Sequence, residues 1–343
     1  MLALVKTERG VGHLRLEERL DPVPAPGWVA IDVRYAGICG TDLHIVQDEF
    51  PYWPPVTLGH EFLGTVAALG EGVDGAWLGA RVVSEPHSFA CGTCYLCRRG
   101  FAELCATKRS PGWGIDGAFA ARLTMPVHLL HRVPDGLPDR VAALAEPMAV
   151  SVTALDRGRV YAGDTVLIFG PGPVGILLAA GALAMGAAHV VVAGRHDSDR
   201  LRFAASVGAL TAVGDAAVEL VRDLSAGRGA DLVIDATGAA DAIGQALAAV
   251  RRRGRMVAVG MSGQATVLVP WDLAVTRAVD VAFSMSSNGT AWEPALSILA
   301  RSALQLEAMS TVFPLVGWEA AFAAVADRTV IKALLDPQAG GQR

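Results

Sequence analysis

Four of the five cysteines lie close together at regular intervals. Cys91, Cys94, Cys97 and Cys105 form a C-x2-C-x2-C-x7-C array, and four thiolates complete the tetrahedral coordination of zinc with no position left open. The first three cysteines also match the spacing of a ferredoxin cluster, but the fourth comes late and is followed by Ala106 instead of proline. The array therefore predicts a structural zinc site. The alternative is four free thiols packed as small apolar side chains.

The fifth cysteine, Cys39, lies apart from the array in the segment GICGTDLH. Two other segments offer partners for it: LGHEF, with His60 and Glu61, and LAEPMAV, with Glu146. One thiolate, one imidazole and one carboxylate leave a fourth position for water or substrate, which is typical of catalytic zinc. No local spacing joins the three segments, and a single His or Glu is usually an ordinary core or surface residue. The residues predict a catalytic zinc site and leave open which glutamate completes it.

A glycine-rich turn follows a predicted strand in the segment LIFGPGPVGILLAAG. Gly170, Gly172 and Gly175 match G-x-G-x-x-G, and Pro173 and Val174 open the predicted helix. In such a turn the glycines allow a tight bend, close approach of a pyrophosphate and close packing of helix on strand. The N–H groups at the helix N-terminus then bind the phosphates. The turn predicts a dinucleotide site. The alternative is a Gly/Pro-rich turn in an ordinary α/β domain.

The end of the next predicted strand, HVVVA, bears on the choice of cofactor. A carboxylate there would bind the ribose hydroxyls of NAD, but the strand runs into Gly194, Arg195 and His196. The guanidinium of Arg195 can bind a 2′-phosphate through two parallel hydrogen bonds. We therefore predict NADP in preference to NAD. The alternative is that Arg195 is a solvated turn residue and that Asp197 reaches the ribose.

These candidate sites lie on two kinds of predicted structure. Up to about residue 150, short β-like runs alternate with Gly, Pro and Asp, which indicates an irregular, strand-rich domain. From Asp164, apolar runs alternate with Gly turns and Ala-rich helical segments, as in a doubly wound parallel sheet. The tail then returns to two helices and a final strand. We predict an α/β fold with a β-rich catalytic domain at 1–150 and 288–343 and a nucleotide-binding domain at 151–287.

The overall composition excludes several classes of protein. The chain of 343 residues is 52% hydrophobic and 18% charged, which rules out intrinsic disorder. The net charge of −5 makes nucleic acid a poor partner. The one basic run, around residues 251–255, is typical of a solvated helix end. The uncharged stretch 165–194 is broken by Pro and Gly, and no signal peptide is visible. We predict a cytoplasmic protein that binds neither nucleic acid nor membrane.

The motifs together resemble one known family. GICGTDLH, GHEFLG, the four-cysteine array, AEPMAV and GPGPVG occur in the order found in zinc-dependent medium-chain dehydrogenases/reductases, the alcohol dehydrogenase family. They cover nearly the whole chain, and the sequence resembles the sorbitol (polyol) and threonine dehydrogenase branch most. The resemblance implies a GroES-like catalytic domain with two zinc ions per chain, catalytic and structural, and a Rossmann domain.

The resemblance also implies roles for individual residues. Cys39 and His60 are similar to the catalytic zinc ligands, with Glu61 as a ligand or exchange partner and Glu146 where many alcohol dehydrogenases have a ligand cysteine. Thr41 resembles the hydroxyl that begins a proton relay, with His44 as a later member. Asp42 is similar to the carboxylate that orients the zinc-bound imidazole, and Lys332 to a basic residue near the zinc. The predicted cofactor-binding residues are Gly170, Gly172, Pro173, Val174, Gly175, Gly194, Arg195, His196, Thr237, Gly260 and Lys332. Phe50, Tyr52, Trp53 and Trp113 are candidates for the substrate pocket or, equally, for ordinary packing.

The predicted function is that of a zinc-dependent oxidoreductase. It would transfer a hydride between NAD(P) and a secondary alcohol, with a polyol, sugar or amino alcohol and the matching ketone as small-molecule partners. One alternative is a zinc-independent NADPH enone or quinone reductase of the same superfamily. Another is a non-enzymatic protein that uses the cysteine array to bind a partner. The family resemblance implies a homodimer or homotetramer, for which the segment VDVAFSMSSNGT could supply a partner-facing strand.

Overall fold

The structure is a computed structural model that describes residues 1–196 and 198–339. These residues form two compact units, one from 1–146 with the described part of 288–343, the other from 147–287. The chain therefore leaves the first unit after Glu146 and returns to it at Asn288. Within the described ranges, no helix is long and apolar enough to cross a membrane.

The helices and strands follow in chain order. Up to the first crossing they are β1 (Leu2–Lys6), β2 (Leu14–Glu18), β3 (Trp28–Gly37), α1 (Gly40–Val46), β4 (Val56–Thr57), β5 (Glu61–Leu69), β6 (Arg81–Ser84), β7 (Arg122–Pro126), β8 (Leu130–Arg132), α2 (Asp139–Ala142) and α3 (Ala145–Arg157). The second unit continues with β9 (Thr165–Phe169), α4 (Pro173–Ala184), β10 (His189–Gly194), α5 (Asp199–Ser206), β11 (Leu210–Val213), α6 (Ala216–Leu224), β12 (Ala230–Asp235), α7 (Ala240–Ala249), β13 (Val250–Ala258), α8 (Trp271–Arg277) and β14 (Asp280–Phe283). The tail holds α9 (Trp292–Arg301), α10 (Ala303–Leu306), β15 (Ser310–Pro314), α11 (Trp318–Ala326) and β16 (Lys332–Asp336).

The first unit is built on two sheets. β2, β1 and β4 form the smaller sheet, and the larger has the order β15-β16-β3-β5-β6-β8 with β7 also paired to β3. Alternate side chains of β3, namely Val29, Ile31 and Val33, are fully buried in the core, as expected for a strand that packs one face on the interior. The tail strand β16 pairs with β3, with Leu334 opposite Gly37. The end of β3 therefore meets both β5 and the tail.

The second unit is a six-stranded sheet in the order β11-β10-β9-β12-β13-β14. Every pairing in it is parallel, and all five residues of β9 are buried, which explains why its strands read as continuous apolar runs. Strand order reverses at β9, between β10 and β12, which is where ligands bind in open α/β sheets. The predicted fold class, a GroES-like β-rich domain with a Rossmann-like domain, is confirmed.

Candidate active site and metal centres

Cys39, His60 and Glu61 come together at the end of β3. Glu61 lies opposite Gly37 in the antiparallel pairing of β3 with β5, so the turn after β3 faces the residues that begin β5. One ligand atom from each of the three residues lies within 4.8 Å of the other two. His60 and Glu61 are buried, at 4% and 1% exposure. A thiol, an imidazole and a carboxylate therefore share one small interior space, a donor set suited to zinc.

A second set of polar residues supports this group. The backbone N–H of Cys39 donates to Asp42 Oδ2 at 2.8 Å, and Asp42 Oδ1 lies 3.8 Å from Nδ1 of His60. A carboxylate on the Nδ1 side leaves Nε2 of the imidazole for a metal. Lys332 pairs with Glu61 and donates a second hydrogen bond to the carbonyl of Ile38 at 2.9 Å.

The electrostatics of this group favour a bound cation. Desolvation raises the pKa of the Cys39 thiol, and the charge of Glu61 raises it further. A thiolate is thus costly here without a positive partner, and a divalent ion supplies one. Burial also raises the pKa of Glu146 to about 7, and Glu61 contributes to that rise. The residues present therefore fit a zinc ion.

Glu146 is not among the three residues whose ligand atoms converge. It lies in the first turn of α3 and is buried, and its charge interacts with those of Glu61, His60 and Lys332. Its role as a zinc ligand stays a prediction.

The predicted relay residues both lie on α1. Thr41 Oγ1 is 3.7 Å from the sulfur of Cys39, which puts the hydroxyl beside the candidate metal ligands. His44 lies on the exposed face of the helix, with Nδ1 2.7 Å from Oε2 of Glu49. The short helix therefore offers one hydroxyl beside the site and one imidazole toward solvent.

The candidate pocket residues separate into two groups. The ring of Trp113 meets His60 edge-on at 5.0 Å between centroids, and Phe50 meets Trp113 at 5.5 Å. Trp53 is 44% exposed, and its backbone N–H donates to the carbonyl of Trp113 at 2.8 Å. Tyr52 is different because it is fully buried and donates to Asp48, so the packing alternative holds for it. We call Phe50, Trp53 and Trp113 the aromatic wall.

The four-cysteine array folds into a lobe with two short 3-10 turns, Cys97–Arg99 and Ala102–Leu104. One sulfur from each cysteine lies within 4.8 Å of the other three, and all four are free thiols. Backbone N–H groups donate to three of the sulfurs at 3.3–3.4 Å. Hydrogen bonds from Thr93 and the N–H of Cys94 lower the pKa of Cys91 to about 5, whereas desolvation raises that of Cys97 to about 12. The lobe fits a second zinc ion.

The glycine turn has the close approaches that its sequence predicts. A Cβ on Gly175 would overlap the carbonyl oxygen of Gly170, whereas a Cβ on Gly172 would meet nothing within 4 Å. Gly172 precedes the first residue of α4, with Pro173 at the first position and Val174 at the second. The turn therefore leaves open space in front of the helix N-terminus.

The remaining predicted cofactor residues follow neighbouring strands, whose carboxyl ends share one edge of the parallel sheet. Gly194 ends β10, and Arg195 and His196 are exposed just beyond it; Asp197, the alternative ribose ligand, lies outside the described residues. Thr237 follows β12, where its side chain lies beside Gly170, and Gly260 follows β13 close to the backbone of Thr237.

Lys332, which the family resemblance places near the zinc and which is also among the predicted cofactor residues, belongs to the first unit and pairs with the candidate metal ligand Glu61. The sequence does not identify one further residue, Asp235. Asp235 is fully buried at the end of β12, where it accepts hydrogen bonds from the N–H and hydroxyl of Thr237 and from the N–H of Gly238. The sequence signal for this residue is the segment LVIDATG, in which an acidic residue ends an apolar strand and a glycine follows three positions later.

Comparison with known proteins identifies the class of protein to which the chain belongs. Residues 25–135 match the alcohol dehydrogenase GroES-like domain and residues 173–301 the zinc-binding dehydrogenase family. Sorbitol dehydrogenase of Halalkalibacterium halodurans is 36% identical over 98% of this chain and 99% of its own. D-arabitol-phosphate dehydrogenase of Enterococcus avium is 32% identical over 90% of this chain and 89% of its own. A zinc-binding dehydrogenase from Sinorhizobium meliloti 1021 bound to NADP has a TM-score of 0.90 at 29% identity, covering 98% of this chain and 99% of its own.

The chain belongs to the zinc-dependent medium-chain dehydrogenase/reductase family. It is an oxidoreductase, a zinc-type alcohol dehydrogenase that uses a nicotinamide cofactor. The predicted family and enzyme class are confirmed.

Two glycine variants test the geometry of the turn. Gly175→Ala forces a Cβ into the backbone of Gly170, so we expect a loss of roughly 1–3 kcal/mol of stability and a lower Tm. Gly172→Ala adds its Cβ to open space and should keep the wild-type Tm while weakening NAD(P) binding, because the new methyl group occupies the pyrophosphate approach. Differential scanning fluorimetry and cofactor titration measure the two effects. Equal Tm values for both variants would contradict this account.

Proposed function

We propose that this enzyme oxidises secondary alcohols at a catalytic zinc ion held by Cys39, His60 and a glutamate. The observation that supports this most is the convergence of a thiol, an imidazole and a carboxylate within 4.8 Å in buried surroundings. Three protein ligands leave one zinc position open for substrate. Glu61 and Glu146 are the candidate carboxylates. A zinc-free reductase would have no use for this buried donor set, which argues against that alternative.

The side chains around the ion position it and move a proton. When bound, zinc acts as a Lewis acid on the substrate hydroxyl and the nicotinamide ring accepts the hydride. Asp42 Oδ1 lies 3.8 Å from Nδ1 of His60, so its charge favours the imidazole orientation in which Nε2 faces the ion. Thr41 Oγ1, 3.7 Å from the thiol sulfur, accepts the hydroxyl proton and passes it outward. His44, exposed and paired with Glu49, delivers that proton to solvent.

The second zinc ion is assigned to the four-cysteine lobe. Its sulfurs form a complete ligand set, and four thiolates leave no position for substrate, so the ion has a structural role. The lobe is mostly irregular, with two short 3-10 turns, and only one of its four cysteines, Cys105, is buried. Metal coordination is therefore the main source of its stability. This gives two zinc ions per chain.

The preferred cofactor is NADP. Arg195 is exposed just beyond β10, at the strand end that binds the adenosine ribose in dinucleotide folds. Gly194 precedes it and His196 follows, and neither carries a carboxylate that would repel a 2′-phosphate.

The substrate is a linear polyol or a related sugar derivative. Two relatives carry the names of sorbitol and D-arabitol phosphate dehydrogenases, which supports a polyhydroxylated chain. The aromatic wall beside His60 offers the flat apolar surface on which the C–H faces of such a chain can pack.

The sixth strand of the parallel sheet supports a dimer of this chain. β14 is the last strand in the sheet order, so in the described residues its outer edge has no strand partner. Phe283 and Val281 on this strand are 74% and 46% exposed, and Trp271, the first residue of α8, is 70% exposed. An open, apolar strand edge is stabilised by pairing, and a second copy related by a two-fold axis presents the same edge.

Metal content tests the two zinc assignments separately. Cys39→Ser is expected to remove one of two zinc ions per chain and to lower kcat at least about 100-fold. Cys97→Ser should remove the other ion and lower Tm by roughly 4 °C or more. Inductively coupled plasma mass spectrometry measures the zinc content of each variant, and activity assays and thermal unfolding measure kcat and Tm. Two zinc ions retained in Cys39→Ser would overturn the catalytic assignment.

Cofactor preference tests the role of Arg195. Arg195→Asp removes the phosphate ligand and adds a carboxylate for the ribose hydroxyls, so the ratio of kcat/KM for NADP to that for NAD should fall about 100-fold or more. Arg195→Gln serves as the control and should lower the ratio by less, since it adds no carboxylate. An unchanged ratio in the Asp variant would show that Arg195 does not select the cofactor.

Molar mass tests the proposed dimer. Phe283→Asp puts a charge on the open edge of β14 and should shift the protein toward a monomer in light scattering coupled to size-exclusion chromatography. Val11→Asp is the control, because Val11 is 65% exposed and lies in the first unit. A monomeric wild-type protein, or an identical molar mass in wild type and Phe283→Asp, would refute the proposal.

A further inference from the structure

Arg109 carries a positive charge beside the aromatic wall. Its guanidinium lies over the ring of Trp53, 3.8 Å from the ring centroid. Nη1 donates to the carbonyls of Lys108 at 3.1 Å and Thr107 at 3.5 Å. No carboxylate of the described residues lies within ion-pair distance of it. The charge is therefore oriented by stacking and backbone bonds, with the rest of its planar donor set free for a ligand.

The other stacked arginines of the described chain show which charges have an acidic partner. Arg9, Arg34 and Arg255 also lie over aromatic rings, and each pairs with an aspartate. Arg132 lies over Trp77 at 4.4 Å and, within the residues that the structure describes, also lacks an acidic partner. Arg132 lies on β8 and has no contact with the aromatic wall, so it has the same local chemistry as Arg109 at a different place.

The backbone brings Arg109 close to Trp113, which packs on the candidate metal ligand His60. The N–H groups of Trp113 and Gly114 both donate to the carbonyl of Ser110, which closes a tight turn just after Arg109. A Cβ on Gly114 would lie 2.7 Å from Cδ of Arg109, so the arginine stem occupies the space that glycine leaves. Trp113 in turn packs on His60.

We propose that Arg109 is a specificity-determining residue that binds an anionic group at the far end of the substrate. This inference rests on the proposed function and narrows its substrate class to polyols that carry a terminal phosphate or carboxylate. A linear polyol whose reacting hydroxyl is held at His60 lies along the aromatic wall with its other end toward Arg109. There the guanidinium forms two parallel hydrogen bonds to the anion, a geometry that phosphate and carboxylate share.

The test compares substrates of one carbon skeleton, namely D-sorbitol, D-sorbitol 6-phosphate and D-gluconate, with wild type, Arg109→Gln and Arg132→Gln. Wild type should oxidise at least one of the two anions with kcat/KM about tenfold or more above that for D-sorbitol. Arg109→Gln should lower kcat/KM for that anion by about 10- to 100-fold, mainly through KM. The value for D-sorbitol should change less than about twofold, because no charge is lost from its binding. Whichever anion responds identifies the terminal group as phosphate or carboxylate.

Controls separate this proposal from a merely structural effect. Arg109→Lys keeps the charge and should recover part of the affinity for the anion, whereas Arg132→Gln should match wild type on all three substrates. Equal losses for neutral and anionic substrates in Arg109→Gln, or a wild-type preference for D-sorbitol, would overturn the proposal while leaving the polyol dehydrogenase function intact. Failure of wild type to oxidise any of the three, or any other polyol, with either nicotinamide cofactor would instead refute the proposed function.

Discussion

The antiparallel pairing of β3 with β5 is the constraint on which the catalytic group depends. It sets Gly37 opposite Glu61, and a Cβ at Gly37 would overlap the carboxylate of Glu61. The absence of a side chain there lets the acid turn inward beside Cys39 and His60. The tail strand β16 joins the same end of β3 and brings the ammonium of Lys332 to Glu61. Three separate parts of the chain thus depend on one strand end.

The charges in this interior space would link folding to metal binding at the proposed catalytic site. Asp42 and Glu61 are buried acidic groups beside the half-buried Cys39, and Lys332 is the cation that pairs with Glu61. A buried charge without compensation destabilises the folded state. A divalent ion at this site would supply positive charge, so the protein would gain stability from the ion proposed for its chemistry. A zinc ion in the lobe of four cysteines would act in the same way with a closed ligand set.

The sequence predicts best what depends on local spacing. The four cysteines lie within one lobe and the three glycines within one turn, so their patterns contain most of the geometry. Cys39 and His60 come from separate segments, and their proximity depends on strand pairing that no local pattern specifies. The family resemblance places Lys332 near the zinc, but its pairing with Glu61 joins residues far apart along the chain, so no local pattern specifies that contact. The packing of Trp113 on His60 and of Arg109 on Trp53 depends on side-chain contacts, which sequence periodicity does not describe.

Diffraction data collected on both sides of the zinc absorption edge test the central claim most directly. Crystals of the purified, active enzyme should give one anomalous difference peak bounded by Cys39, His60 and a glutamate, and a second within the cysteine lobe. Catalytically active crystals that show a peak in the lobe alone would contradict the account, because the buried thiol, imidazole and carboxylate would then have been brought together for another purpose.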